Sequence, residues 1–363
     1  MAKTLRVREE DGWTTKAVED IPANRLSAEE IDDNFLVLEA QAKWMGGFKN
    51  RIINGNFKLW QRGTAASSAN GYVSADRWVA SSSNNVPVLR RTTIDVGGIA
   101  NSKSLYCLRV DTTADSAAGA YQIVAQRIES VRCFAGGKAT LTFWTYCTTD
   151  KSIAVGFRQY FGTGGSPSAS VDTAGDPIKV SVGAAWTKQT IVVDLPSISG
   201  KTLGSDGNDY LMVMFWFSAG SNFNDDTDTL GHQTGQFYVA DIQLERGDVA
   251  TEFEDRPHSI ESLLCHRYYW RINPGQMNSQ GPIDNGVTSV RLGPAVPMRT
   301  TPTATSDFTS ATYTYIDTLT WVNTGSNGEN GGLLFWYTNS ATGRANVYWV
   351  LDSANYIALS AEL

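Results

Sequence analysis

Between residues 51 and 257 apolar and polar positions alternate with a period of two, in short runs broken by Gly and Pro clusters. Leu141, Phe143 and Thr145 interleave with Thr142, Trp144 and Tyr146. Ile153, Val155 and Phe157 follow, then Ile191 and Val193, then Tyr238, Ala240, Ile242 and Leu244. A period of two marks strands with one face on a core and the other toward water. The breaks at Gly136-Gly137, Gly162 to Pro167, Gly175 to Pro177 and Gly204 to Gly207 read as turns. One run departs from the alternation. Tyr210 to Phe217 is apolar throughout, which predicts a central strand buried between layers. Frequent turns with no long helical pattern predict an all-β fold, a β-sandwich or barrel.

The two ends carry other patterns. Leu5 to Arg8 and Trp13 suit a short strand or docking arm. Ser27 with Glu30 forms a capping box for a helix. Within it Ile31, Phe35, Leu38, Ala42 and Met45 recur in steps of four, three, four and three, the seam of a short coiled coil. So short a helix is marginal alone in water and needs a partner, either another copy of itself or the body of the protein. Gly46-Gly47 ends it and supplies a hinge. After residue 257, Ser259 is placed as the cap of a short helix with Ile260, Leu263 and Leu264 as its stripe. Strands are predicted at Arg267 to Ile272, Thr312 to Val322, Leu333 to Tyr337, Ala345 to Leu351 and Tyr356 to Leu359. The organisation is then an N-terminal attachment segment at 1–50, a β-sandwich at 51–257 and a small C-terminal β-domain at 258–363.

Composition narrows the function. The 363 residues suffice for two domains. A net charge of −7 without a Lys/Arg cluster disfavours nucleic acid. The first 20 residues lack a signal peptide's basic start and apolar run, and Tyr210 to Phe217 is too short to span a bilayer. Cys107, Cys133, Cys147 and Cys265 match no metal spacing and read as buried free thiols in strands. His258 and His266 stand eight apart, which makes a zinc site improbable, and His232 sits in a polar loop, read as solvated. No nucleophile elbow or Ser/His/Asp set is present. Asp76, Asp241, Glu245 and Glu252 are the carboxylates a glycosidase would need, yet each has an Arg nearby in sequence (Arg77, Arg246, Arg256), which favours structural ion pairs or capped turns. Asp225, Asp226 and Asp228 share one loop without the fixed spacing of a calcium site. No catalytic residue, metal or cofactor is therefore assigned.

Two scattered motifs go further. Asn54-Gly55-Asn56-Phe57, Trp60-Gln61-Arg62-Gly63-Thr64 and Ala75-Asp76-Arg77-Trp78 are answered downstream by Gln243-Leu244-Glu245-Arg246-Gly247, Ala250 to Pro257 and Cys265 to Tyr269. Together they resemble the carbohydrate-binding-module-like β-sandwich of tailed-bacteriophage appendage proteins, over about residues 51 to 271. Ala28 to Glu39 resembles the N-terminal attachment helix of phage fibre proteins, which precedes a trimeric shaft. Val296 to Arg299 and Thr301 to Thr303 resemble the opening of the C-terminal β-domain that often follows this module.

The resemblance implies a jelly-roll, galactose-binding-like sandwich in which the two motifs meet, the first strand lying beside the last. It implies a homotrimer on the virion, joined to tail, baseplate or neck proteins through residues 1–50 and binding host surface polysaccharide. A polysaccharide depolymerase and a purely architectural head or neck fibre stand as alternatives. Sugar rings stack on aromatic faces. Trp60, Trp78, Trp144 and Trp216 occupy strand or motif positions and are read as core. Trp321, Trp336 and Trp349, in the outer C-terminal part, are the ligand-binding candidates.

Overall fold

The computed structural model describes residues 4–9, 12–17, 48–95, 98–99, 102, 104–172, 177–272, 276–283, 288–292, 294–306, 318–323, 333–338, 343–350 and 357–363. The chain divides into two compact units, 1–49 and 50–363. In the first, β1 (Thr4–Glu9) pairs antiparallel with β2 (Gly12–Ala17). The seam residues Ile31, Phe35, Leu38, Ala42 and Met45 lie outside the described residues.

The second unit is built on two five-stranded antiparallel sheets packed face to face. Their strands are β3 (Val79–Ser82), β4 (Val88–Thr93), β5 (Tyr106–Thr112), β6 (Tyr121–Glu129), β7 (Gly137–Cys147), β8 (Lys151–Tyr160), β9 (Ile178–Val182), β10 (Thr187–Leu195), β11 (Tyr210–Ala219) and β12 (Gly235–Arg246). The first sheet has the order β10-β7-β12-β5-β4 and the second β3-β6-β11-β8-β9. The period of two sorts the side chains. Leu141, Phe143, Val110 and Phe237 of the first sheet meet Val124, Val155, Phe215 and Phe217 of the second in one core. Phe143 and Phe215 cross edge to face at 5.1 Å.

The outer faces differ. Tyr210, Met212, Met214 and Trp216 of β11 point away from the core, yet they too are buried. Tyr72, Tyr121, Phe223, Leu230 and Leu363 cover them. β11 is thus the central strand of its sheet and buried along its whole length, as its unbroken apolar run predicts. On the outer face of the first sheet Trp144, Tyr146 and Tyr238 are half-buried.

The two motifs meet, though not as paired strands. Residues 50–56 run beside β12 as turns. Arg51 N–H donates to Leu244 O at 2.9 Å and Ile242 N–H to Gly55 O at 3.0 Å. Gly55 has to be glycine, since a Cβ there would stand 2.1 Å from the Ile242 carbonyl oxygen. Asn54 takes a left-handed φ of 57°. Its side chain bridges the turn, donating to Leu59 O and Asp76 O and accepting from Leu59 N–H. Trp78 donates to Asn54 O at 3.1 Å and packs on Phe57 and Phe215. Opposite, the Arg256 guanidinium donates to Asn50 O, Ile52 O and the Glu261 carboxylate.

After Pro257 comes α1 (His258–His266). Pro257 occupies the position before its first turn, and Ser259, expected as the cap, lies inside the helix. α1 leads into β13 (Tyr269–Ile272), which pairs with β20 (Ile357–Ser360), itself paired with β16 (Thr303–Ser306). The backbone also forms β14 (Gln276–Ile283) with β19 (Gly343–Val350), and β15 (Thr288–Leu292) and β17 (Thr318–Asn323) on either side of β18 (Leu333–Thr338). The residues after β20 are tied to the motif. Glu362 pairs with Arg77 and with Arg62, and Arg127 holds the Leu363 carbonyl. Arg267 and Tyr268 both hydrogen-bond Glu129.

Candidate functional site

Strand register lines up one row of side chains across the outer face of the first sheet. Arg90 stands opposite Arg109, Arg109 opposite Tyr238, and Tyr238 opposite Tyr146. Trp186, one residue before β10, completes the row. Its ring lies 5.7 Å from Tyr146 and 6.5 Å from Tyr238, and the two tyrosines are 5.2 Å apart. In the next row Trp144 sits between Ala240 and Lys188. Cys107, Ala240 and Ile99 form the buried floor against which Ile94, Trp144, Trp186 and Tyr238 pack. All four aromatics are half-buried, so each keeps part of its surface in water.

Gly98, Ser102 and Ser104 stand beside this platform, and a bulge in β12 holds the two serines. The register of β12 against β7 slips between Ala240 and Gln243, and Asp241 takes a left-handed φ of 49°. The slip turns the Asp241 carboxylate toward Ser102, which donates at 2.6 Å, and toward Ser104, which also donates to it. Burial pushes the Asp241 carboxyl above its ordinary range, against the pull of the two hydroxyls. Gly98 stands against Trp186, where a Cβ would lie 3.6 Å from the indole nitrogen.

The charged groups follow the same row. Arg90 and Arg109 each engage Asp111 through Nε, at 3.2 and 2.6 Å. The Arg109 guanidinium stands 5.9 Å from the Tyr238 ring centre. Beyond Trp186, at one end of the sandwich, an open depression of about 620 Å³ is lined by Asp150, Lys151, Ser152, Ser181, Val182, Gly183 and Gln233. The Gln233 amide is already spent on the backbone of Ser152 and Phe217.

The structure relocates several residues singled out from the sequence. Trp60, Trp78 and Trp216 are buried, but Trp144 belongs to the half-open platform rather than the core. Trp321, Trp336 and Trp349 sit on β17, β18 and β19, and their side chains lie outside the described residues. Tyr146, Trp186 and Tyr238 were not singled out. The signal for Tyr146 was the shared parity of positions 144 and 146, opposite the apolar Leu141 and Phe143. Trp186 lies outside any strand and gave none. His232, expected to be solvated, is half-buried with Nε2 3.1 Å from Ala117 O. Of the cysteines, Cys107 and Cys147 are strand residues, but buried Cys265 is on α1 and Cys133 is half-buried in a single 3₁₀ turn.

Asp76 and Glu245 bond to residues other than the arginines that follow them in the sequence. Asp76 accepts from the Gln61 backbone and side chain and faces Arg62 at 3.5 Å, not Arg77. Glu245 accepts from Gln243 and from Thr251 N–H and Oγ. Asp228 is paired with Lys179. Among the described residues no group of three His, Cys, Asp or Glu is placed to hold a metal ion.

Burial raises the Asp76 carboxyl from 3.8 to about 6 despite the opposing pull of Gln61 and Arg62. A raised folded value means that the protonated form favours the fold. This contribution is complete below the unfolded value and is lost as the pH rises through about 6, on the order of 3 kcal/mol in all. The difference in unfolding free energy between about pH 4 and about pH 7 should therefore shrink in Asp76→Asn, measured by denaturant titration at both pH values. An undiminished difference would place the titration elsewhere.

No family model matches the chain, and no curated protein sequence does. Among solved structures, it is similar to the enzymatically active domain of tailspike protein 4 of bacteriophage CBA120, at 15% identity and a TM-score of 0.32. That match covers 55% of this chain and spans 22% of the tailspike domain. It is similar to the family 11 carbohydrate-binding module of a Clostridium thermocellum cellulosomal cellulase, at 12% identity and a TM-score of 0.29, over 52% of this chain and 99% of the module. It is also similar to the N-terminal cellulose-binding domain of Cellulomonas fimi β-1,4-glucanase C, at 12% identity and a TM-score of 0.31, over 52% of this chain and 97% of that domain.

Proposed function

We propose that this chain is a non-catalytic, glycan-binding appendage protein of a tailed phage, working as a homotrimer that recognises host surface polysaccharide. The observation that carries the binding role is the platform of Trp144, Tyr146, Trp186 and Tyr238 on the open face of the first sheet. On the other sheet Tyr210 and Trp216 are buried and Tyr121 and Tyr160 half-buried, while here all four aromatics are half-buried and stand beside arginines and a lysine. Apolar ring faces suit sugar rings, and flanking polar groups suit hydroxyls. The Asn54 and Gln243 motifs, with the helix seam at Ile31 to Met45, support the virion assignment by resemblance. Three copies on one particle turn a weak contact into firm adhesion.

One preparation tests both parts. Light scattering on the full chain should give the mass of three copies, and a monomer would sink the trimer. Trp186→Ala should weaken polysaccharide binding by about tenfold or more, roughly 1.4 kcal/mol, with the unfolding midpoint unchanged. Equal binding by the variant would remove the platform from the role. Release of reducing ends during incubation would favour the depolymerase.

A further inference from the structure

The platform is compact and carries two arginines at one end, and both properties bear on which glycan it takes. Trp186, Tyr146 and Tyr238 are not in file. Their ring centres form a triangle with sides of 5.7, 5.2 and 6.5 Å, and their planes are inclined by 33°, 60° and 73°. An extended chain needs ring faces spread along one line in a common plane. A closed triangle of tilted rings offers one patch, about the footprint of a single sugar ring, with Trp144 beside it in the next row. Gly98 stands against Trp186 on one side of the patch.

The charges are sorted along the patch. At one end Arg90 and Arg109 share a single carboxylate, Asp111, and Lys188 stands in the row of Trp144. Asp241, which accepts from Ser102 and Ser104, lies on the opposite side. Each arginine engages Asp111 through Nε, and its guanidinium carries further N–H donors on the terminal nitrogens. A guanidinium fork suits a carboxylate. Arg109 already stands 5.9 Å from the Tyr238 ring centre, so an anionic group on a ring stacked over the tyrosines falls within its reach.

We infer that the platform reads one carboxylate-bearing sugar residue, a terminal or branching unit, rather than a run of a neutral chain. This rests on the glycan-binding reading above. The test uses the full chain on a panel that pairs each acidic glycan with its carboxyl-reduced counterpart, and a neutral glucan series from one to six units. The expected result is at least tenfold tighter binding of the acidic member of a pair, weakening as salt rises, with neutral oligomers gaining nothing from length. Arg109→Gln should cut the acid-to-neutral ratio at least fivefold, a readout that a general loss of fold would not move selectively. Affinity that climbs with neutral chain length, or equal binding within every pair, overturns the inference while leaving glycan binding intact. A panel on which nothing binds in a Trp186-dependent way overturns both.

Discussion

Trp78→Ala should lower the unfolding free energy by about 3–5 kcal/mol, a large share of the roughly 5–15 kcal/mol that holds a typical domain folded. The side chain is fully buried. It touches Phe57 at 5.3 Å and Phe215 at 6.1 Å between ring centres, and so joins the motif to the strand core. Its indole N–H satisfies Asn54 O, whose residue is held in a left-handed turn. Removing the ring opens a cavity and takes one of the two donors from that carbonyl, which keeps the Phe57 N–H at 3.2 Å. Because β3 begins at the next residue, the damage sits where the motif enters the second sheet. Denaturant titration checks it: the midpoint should fall with little change in slope. A loss under about 1 kcal/mol would show that Trp78 does not seal the core.

Arg256→Met should be comparably severe, about 3–5 kcal/mol, the cost of breaking a buried ion pair from one side. Arg256 is 5% exposed, and it serves Asn50 O, Ile52 O and Glu261 at once. Burial already lifts the Glu261 carboxyl above its usual range, and Arg256 is the charge that pulls it back. Without the guanidinium, Glu261 has to take up a proton or stay buried as an uncompensated anion. Pairing the change with Glu261→Gln should return a measurable part of the loss, since the second change removes the stranded charge. A double variant no better than the single one would assign the whole effect to the two lost carbonyl contacts.

Much of this fold is legible in the sequence, and the parts that are not share a physical reason. The apolar run of β11 announces a strand covered on both sides, because no alternating strand tolerates that much apolar surface in water. The meeting of the two motifs is also legible, as clusters of turn-forming and aromatic residues far apart in the chain. Partner choice is not. Arg77 follows Asp76 directly, but its left-handed φ of 74° turns it away to Glu362, while Arg62 comes round to face Asp76. The platform was half legible. Trp144 and Trp216 occupy the same local pattern, an aromatic on the outer side of a strand. Their different fates depend on Phe223, Leu230 and Leu363, which cover one sheet and not the other. Periodicity reports which side a residue is on, and remote segments decide what covers that side.

The ion pair between Arg77 and Glu362 also sets a clock. Its members are 285 residues apart in the chain. At about 5–20 residues per second, the ribosome releases the arginine roughly 15–60 s before the carboxylate that neutralises it. All ten strands of the two large sheets lie between these two residues in the sequence and leave the ribosome within that interval. Burying the Arg77 guanidinium before Glu362 exists would strand a cation, so the seam at Arg77 is expected to close after the strands have paired and not with them.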